Sequence, residues 1–141
     1  PNNNDRVYEH SQSVFWSGYQ DWQRGKYAGA QRGFEKYKKL AQQLVAAEPA
    51  NLDWQMELGY ANGNLGTLLL QQLGKPREAT AAFKEAQKSF ELVSRAKPDD
   101  QNLKLDIANN YAWIADAVKR YGPVSEVLDN RRQQQRIAPV G

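Results

Sequence analysis

AEPANLDWQMELGYANGNLGTLLLQQLGKPREATAAFKEAQKSFELV, residues 47–93, contains one complete helical hairpin with a turn at its centre. Several landmarks of this hairpin recur elsewhere in the chain at a spacing of 49 residues. The recurring pairs are Gly25 and Gly74, Lys26 and Lys75, Ala30 and Ala79, Phe34 and Phe83, and Pro49 and Pro98. A spacing that is kept at several landmarks indicates a repeat, and helical repeats of this size stack to bury a shared core.

Apolar residues recur at intervals of three and four along six segments, which is the pattern of helices with one buried face. The expected helices span about 5–24, 26–48, 52–73, 76–97, 101–121 and 124–137. Asp5, Asn51 and Asp100 are the expected N-caps, and Gly25 and Gly74 are expected to turn the chain. No segment alternates like a β-strand, so the predicted fold class is all-α, with three antiparallel hairpins of long helices. The last hairpin is expected to be the least buried, because residues 130–136 read NRRQQQR.

Three glycines, Gly59, Gly63 and Gly66, lie inside the third helix. Each costs a helix interior up to about 1 kcal/mol relative to alanine, so a compensating gain is needed. Their spacings of four and three place them on nearly one face, and we interpret all three as points where neighbouring helices approach closely. A membrane-type glycine face is excluded, because polar residues such as Gln55 and Glu57 occur in the same helix.

Composition narrows the classes of protein that the chain can belong to. The 141 residues suffice for one domain, and 40% hydrophobic residues argue against disorder. Cysteine is absent, which excludes disulfides, thiolate metal sites and cysteine nucleophiles. No apolar stretch is long enough to span a membrane, and the net charge of +3 is mild. Because the chain starts at Pro1 without a methionine, we expect it to be a fragment of a larger protein, in the cytoplasm or the periplasm.

A Gly-Lys turn, with Ala five residues and Phe nine residues after the Gly, resembles the tetratricopeptide repeat. The matching residues are Gly18, Gly25, Ala30 and Phe34 in the first unit and Gly74, Ala79 and Phe83 in the second. The third unit is the weakest, with Ala115, Gly122, Val127 and Arg131 in the corresponding places. Thr67 stands where the second unit would carry the family's usual first-helix glycine. The chain departs from the family in length, since its period is 49 residues and the family's is about 34.

The resemblance implies a right-handed superhelix, or α-solenoid, that forms a single domain over residues 1–141, with repeats at about 5–49, 50–98 and 99–138. Elongated repeats of this kind look like the repeat halves of bacterial signalling proteins. The resemblance further implies an accessory protein-interaction domain, in which the first helix of each pair lines a concave groove for a protein or peptide.

Mapping the family's groove positions onto this chain yields ten candidate partner-binding residues. They are Tyr19, Trp22 and Gln23 in the first helix, Asn64, Leu68 and Gln71 in the third, and Asn110, Trp113, Lys119 and Arg120 in the fifth. Aromatic, amide and cationic side chains suit a peptide, whose carboxylate would pair with Lys119 or Arg120. The family's lysine-asparagine clamp is not reproduced, because Phe15 and Tyr19 occupy its first two places. Each aromatic residue has core packing as its alternative role.

Other functions have weaker support in the sequence. His10 is the only histidine, so no histidine pair can share acid-base or metal chemistry, and we expect neither catalysis nor a cofactor. Arg131, Arg132 and Arg136 form a basic cluster, but the aromatic residues are not interleaved with it, which argues against nucleic acid. The alternative left open is a structural spacer or a homo-oligomerisation domain without a peptide ligand.

Overall fold

The computed structural model describes residues 3–138 of the chain, and this range folds into helices alone. The helices are α1 (Asn3–Gln23), α2 (Tyr27–Ala47), α3 (Leu52–Gln71), α4 (Pro76–Ala96), α5 (Gln101–Val118) and α6 (Val124–Ile137). The predicted all-α class is therefore confirmed. None of these six helices is both long enough and apolar enough to cross a lipid bilayer.

Two of the three expected N-caps are present. The side chain of Asn51 accepts hydrogen bonds from the backbone N–H groups of Asp53 and Trp54, and Asp100 accepts one from Leu103. These bonds satisfy N–H groups that a helix leaves without an internal partner at its start. The prediction was wrong for Asp5, because α1 already begins at Asn3 and Asp5 lies in its first turn.

The two hairpin turns use the left-handed backbone conformation that glycine adopts without strain. Gly25 has a φ of 75° and Gly74 a φ of 62°, so each reverses the chain immediately after its helix. The fifth helix ends three residues earlier than expected, at Val118. Beyond it, Arg120 N–H and Tyr121 N–H bond to the carbonyls three residues before them, which tightens the chain into a turn.

Phenylalanine rings seated on glycines join the helices within each of the first two hairpins. Phe34 of α2 and Phe83 of α4 are fully buried, and each lies against a glycine of the preceding helix. A Cβ atom added to Gly18 would lie 3.2 Å from the Phe34 ring, and one added to Gly66 would lie 2.7 Å from the Phe83 ring. Only a residue without a side chain allows the rings this close.

Gly66 thus takes the place in the second hairpin that the sequence alignment assigned to Thr67. The physical reason is the length of the turn: seven residues separate Gly18 from Gly25, whereas eight separate Gly66 from Gly74. Lys75 N–H accordingly bonds to the carbonyl of Leu69, six residues back. The inward face of α3 is therefore displaced by one residue from the face that the 49-residue spacing predicts.

The three glycines of α3 do not share one role. Gly59 faces the ring of Phe90, where an added Cβ would lie 2.5 Å from a ring carbon, so it is a packing contact like Gly66. Gly63 is different, since an added Cβ would have no neighbouring heavy atom within 4 Å. The interpretation as a packing residue is confirmed for Gly59 and Gly66 and is wrong for Gly63.

The prediction that the last hairpin is the least buried was wrong, because α5 packs against both α4 and α6 and contains eight buried residues, whereas α1 and α2 together contain seven. The polar sequence of residues 130–136 is reflected in α6 alone. No residue of α6 is buried, and Val124 and Leu128 are among its exposed apolar residues. Helix α6 is held to the array by contacts such as the ion pair between Arg131 and Asp116 of α5, at 2.6 Å.

Alanine substitutions in α3 should separate the two kinds of glycine. We expect Gly66→Ala to destabilise the fold by about 1–3 kcal/mol, because its methyl group would overlap the buried Phe83 ring. Gly63→Ala should stabilise the fold by about 0.5–1 kcal/mol, because alanine favours the helix and meets open space. Urea unfolding followed by circular dichroism measures both changes, and equal effects of the two substitutions would contradict the distinction.

Candidate functional site

Helices α1, α3 and α5 lie side by side, and we call the surface on which their side chains meet the odd-helix face. Between α1 and α3, Gln12 Nε2 donates to Glu57 Oε1 at 2.7 Å, and the rings of Tyr8 and Trp54 lie 5.3 Å apart. Between α3 and α5, the Tyr60 hydroxyl approaches Asp106 Oδ2 at 3.5 Å. The first helices of the three hairpins therefore present their side chains to one common surface.

A cleft opens between α3 and α5 on this face, with a volume of about 170 Å³. The side chains that line it carry aromatic rings, amides, a hydroxyl and a carboxylate. They belong to residues that include Tyr60, Gly63, Asn64, Thr67, Asp106, Asn109, Asn110 and Trp113. We call it the Tyr60 cleft. Pockets for small-molecule ligands usually measure about 300–1,000 Å³, so this cleft matches one side chain of a partner better than a whole metabolite.

The cleft exists because of Gly63 and two aromatic pairs. Gly63 contributes no side chain at the centre of α3, which leaves the space above its backbone open. Below, Tyr60 packs on Phe90 with ring centroids 5.9 Å apart, and Trp113 stacks on Phe83 at 5.7 Å. Phe83 and Phe90 are the rings seated on Gly66 and Gly59, so the same packing that joins α3 to α4 also supports the aromatic sides of the cleft.

A buried hydrogen-bond network fixes the orientation of Asn110, which is 4% exposed and lines the cleft. Its Nδ2 group donates to the Phe83 carbonyl and to Gln87 Oε1, both at 2.8 Å. Gln87 in turn donates from Nε2 to Glu91, which also accepts the Tyr111 hydroxyl. Since a backbone carbonyl and a carboxylate can only accept, both amides have one possible orientation, and the group that Asn110 has left for a ligand is the acceptor Oδ1.

Other polar side chains of the cleft also direct their donors back into the protein. Asn64 Nδ2 donates to the Tyr60 carbonyl at 2.8 Å, and the Thr67 hydroxyl donates to the Gly63 carbonyl at 3.0 Å. Thr67 can still offer only its oxygen, as an acceptor, whereas Asn64 keeps its Oδ1 acceptor and the second hydrogen of Nδ2. Asn109 at the rim is exposed and can offer either a donor or an acceptor.

Asp106 adds a negative charge to this set of acceptors. Burial raises the pKa of its carboxyl, the Tyr60 hydroxyl lowers it, and the negative charge of Asp100 raises it further. Burial, followed by the charge of Asp106, likewise raises the pKa of Tyr60. Among the described residues, none of the ion pairs includes Asp106. The carboxylate is therefore partly desolvated without a cation beside it.

Charge is distributed unequally between the helices that form this face and those behind it. Helices α1, α3 and α5 carry seven Asp or Glu and two Lys or Arg, whereas α2, α4 and α6 carry six and eleven. The odd-numbered helices thus have a net charge of −5 and the even-numbered helices one of +5. The overall charge of +3 thus conceals an uneven distribution of charge between the odd-numbered and the even-numbered helices.

The ten residues predicted to form a groove are placed in several environments. Trp113 and Asn64 line the Tyr60 cleft. Tyr19 and Trp22 are partly buried and pack on the core, Tyr19 stacking on Phe15 and Trp22 meeting Phe34 edge-on. Gln23, Gln71 and Lys119 are exposed at helix ends rather than within the cleft.

Three of the predicted residues serve the fold itself. Leu68 is 0% exposed and belongs to the main hydrophobic core, so a ligand does not reach it. Asn110 is buried in the network described above. Arg120 donates to the carbonyl of Leu70 at 3.2 Å, which satisfies a carbonyl in the last turn of α3. Arg120 is exposed and keeps its other N–H donors, so its expected role as a cation for a peptide carboxylate stays a prediction.

Tyr60, Gly63, Thr67 and Asp106 line the cleft but were not among the predicted groove residues. Gly63 and Thr67 each lie one residue before a position that the mapping selected in α3, namely Asn64 and Leu68. This is the same displacement that exchanges Thr67 for Gly66 on the Phe83 ring. The phenylalanine follows its glycine by 16 residues in the first hairpin and by 17 in the second, so no fixed count finds it, and the signal in the sequence was Gly66 itself beside Thr67. Comparison of the chain with protein-family models, with curated proteins and with solved structures gave no match.

Replacing Asp106 with asparagine should show that the negative charge of Asp106 lowers the free energy of unfolding. Because the pKa of Asp106 is raised in the folded state, the wild-type chain loses stability as pH rises through that pKa. We expect Asp106→Asn to match the wild type near pH 3 and to be more stable at pH 7, by less than about 1 kcal/mol, since the side chain is partly solvated. Urea unfolding at both pH values measures this difference. A variant that is less stable at pH 7 would contradict the prediction.

Proposed function

We propose that the chain is a protein-interaction scaffold that binds an extended peptide segment on its odd-helix face. The observation that carries the proposal is the Tyr60 cleft, which combines exposed aromatic surface with hydrogen-bonding groups in an open site between two first helices. Aromatic anchors beside amides are the usual contents of peptide-binding surfaces. The volume of about 170 Å³ supports capture of a side chain, with the rest of the peptide running along the face.

The proposal includes the architecture that the sequence resemblance implies. The 49-residue period, the two glycine turns and the side-by-side first helices support a tetratricopeptide-like, right-handed superhelix of three elongated repeats. In such an array the first helices line the concave side, which is where the Tyr60 cleft would lie. Within this proposal the chain performs no catalysis itself and acts as an accessory domain of a larger signalling or regulatory protein.

Filling the cleft at Gly63 tests peptide binding without damaging the fold. Gly63→Gln places a side chain in the space above the glycine, while Gly63→Ala adds only a methyl group and serves as the matched control. Both substitutions should raise the melting temperature, by about 2–4 °C, because they favour the helix. We expect peptides selected from a displayed random dodecamer library to bind the wild type and Gly63→Ala, and to bind Gly63→Gln at least about tenfold more weakly.

This comparison separates blocked binding from lost folding, since the blocked variant should be the more stable protein. Retained binding by Gly63→Gln would place the peptide elsewhere. Failure of the library to yield any peptide that prefers the wild type would contradict the scaffold function itself.

A second function, self-association, is favoured by the exposed apolar side of α6. Val124 is 72% exposed and Leu128 47% exposed, and the two lie four residues apart on one helix. We expect a wild-type chain with this function to increase in mass with concentration in sedimentation equilibrium, and Leu128→Glu to remain a monomer. A wild-type chain that stays monomeric at concentrations up to about 0.5 mM would have at most a very weak dimer, and this result would remove the alternative.

A further inference from the structure

The groups that the Tyr60 cleft offers to a ligand are predominantly acceptors of hydrogen bonds. Asn110 has both Nδ2 hydrogens engaged and is held in that orientation by Phe83 and Gln87, leaving Oδ1. Asn64 and Thr67 direct donors into the backbone of α3. A ligand group that reaches Asn110 and Thr67 therefore has to supply N–H or O–H donors, since an acceptor would meet oxygen acceptors there and be left without partners.

Asp106 adds the requirement for positive charge. Its carboxylate borders the cleft, and Tyr60 is the neighbour that hydrogen-bonds to it. Two further pockets that also border Tyr60 contain acids, one Asp53 and Glu57 and the other Asp100 together with Lys97. The ion pairs formed between described residues use none of these acids.

The aromatic walls favour the same kind of ligand. Tyr60 is 41% exposed and Trp113 is partly buried, and both rings border the cleft. A cation over the face of a tyrosine or tryptophan ring gains stabilisation from the ring's electron distribution, and more so where water is partly excluded. A neutral apolar side chain could use the rings, but it would leave the carboxylate and the amide oxygen unpaired.

We propose that the Tyr60 cleft binds the cationic side chain, arginine or lysine, of a basic segment in the partner protein, with Asp106 and Asn110 Oδ1 as acceptors. This inference rests on the proposed peptide-binding function and specifies its ligand. The guanidinium of arginine carries five N–H donors in one plane, and the ammonium of lysine carries three. Either group satisfies the acceptors that the fold leaves open. The acids in the pockets that border Tyr60, which include Asp53, Glu57 and Asp106, attract such a segment although the chain as a whole is positively charged.

The test begins with the composition of peptides selected from the random dodecamer library. We expect each peptide that competes for the Tyr60 cleft to contain a required arginine or lysine. In a synthetic copy of the tightest binder that carries arginine at this position, replacing the arginine with citrulline, its neutral isostere, should weaken binding at least about tenfold, because the charge and N–H donors are lost. Exchanging arginine and lysine in the same peptide identifies which cation the cleft prefers.

Variants of the protein assign the effect to the cleft. Asp106→Asn should weaken the cationic peptide at least about tenfold and leave the citrulline peptide within about twofold of the wild type. Glu85→Gln is the charge-matched control, since Glu85 lies on α4 in an exposed pair with Lys88, and it should change neither affinity by more than about twofold. Tyr60→Phe should bind like the wild type, whereas Tyr60→Leu should bind the cationic peptide more weakly.

The outcomes distinguish the two proposals. Selected peptides that require an acidic or apolar residue at the cleft would overturn the cationic ligand and leave the scaffold function standing. Equal losses in Asp106→Asn and Glu85→Gln would show a general charge effect and would also overturn it. A library that yields no peptide preferring the wild type over Gly63→Gln would overturn both.

Discussion

The rest of this structure depends on one kind of contact, in which a phenylalanine ring packs directly on a glycine of the preceding helix. Gly66 accepts Phe83 and Gly59 accepts Phe90, and these two contacts hold α3 against α4 at a distance that any Cβ atom would prevent. Because both rings also carry an aromatic neighbour, Trp113 on Phe83 and Tyr60 on Phe90, the close packing behind α3 determines the walls of the cleft in front of it. The same two phenylalanine rings thus join α3 to α4 and support the sides of the cleft.

The buried amide network has an effect beyond holding α4 to α5. By using both hydrogens of Asn110, the Phe83 carbonyl and Gln87 turn a side chain that is both donor and acceptor into an acceptor alone. Asp106 lies in the same cleft, partly desolvated, with a raised pKa and without an ion-pair partner in the described part of the chain. A surface that leaves hydrogen-bond acceptors and a partly desolvated negative charge together is costly for the free protein.

The sequence predicted the number, order and type of the helices because those depend on local chemistry. Asn51 and Asp100 carry short acceptor side chains that cap a helix, and Gly25 and Gly74 adopt a left-handed turn, whatever the rest of the chain does. The candidate groove was predicted less well. Leu68 lies in the core, while Gly63 opens the cleft, because one additional residue before Gly74 displaces the face of α3 that looks outward. A helix face changes by about 100° for each residue, so a period counted along the chain fails after a single insertion.

The sequence by itself determined the all-α class, the 49-residue repeat and the positions of the turns, since each follows from periodicity and from backbone preferences of single residues. Only the tertiary structure decided which glycines lie under a ring and which one opens a cleft, because identical residues in one helix differ only in what faces them. It also decided the orientation of Asn110, through partners that lie 23 and 27 residues away. The acids near Tyr60 are brought together in the same way, since Asp53 and Glu57 of α3 and Asp106 of α5 border pockets that share this ring.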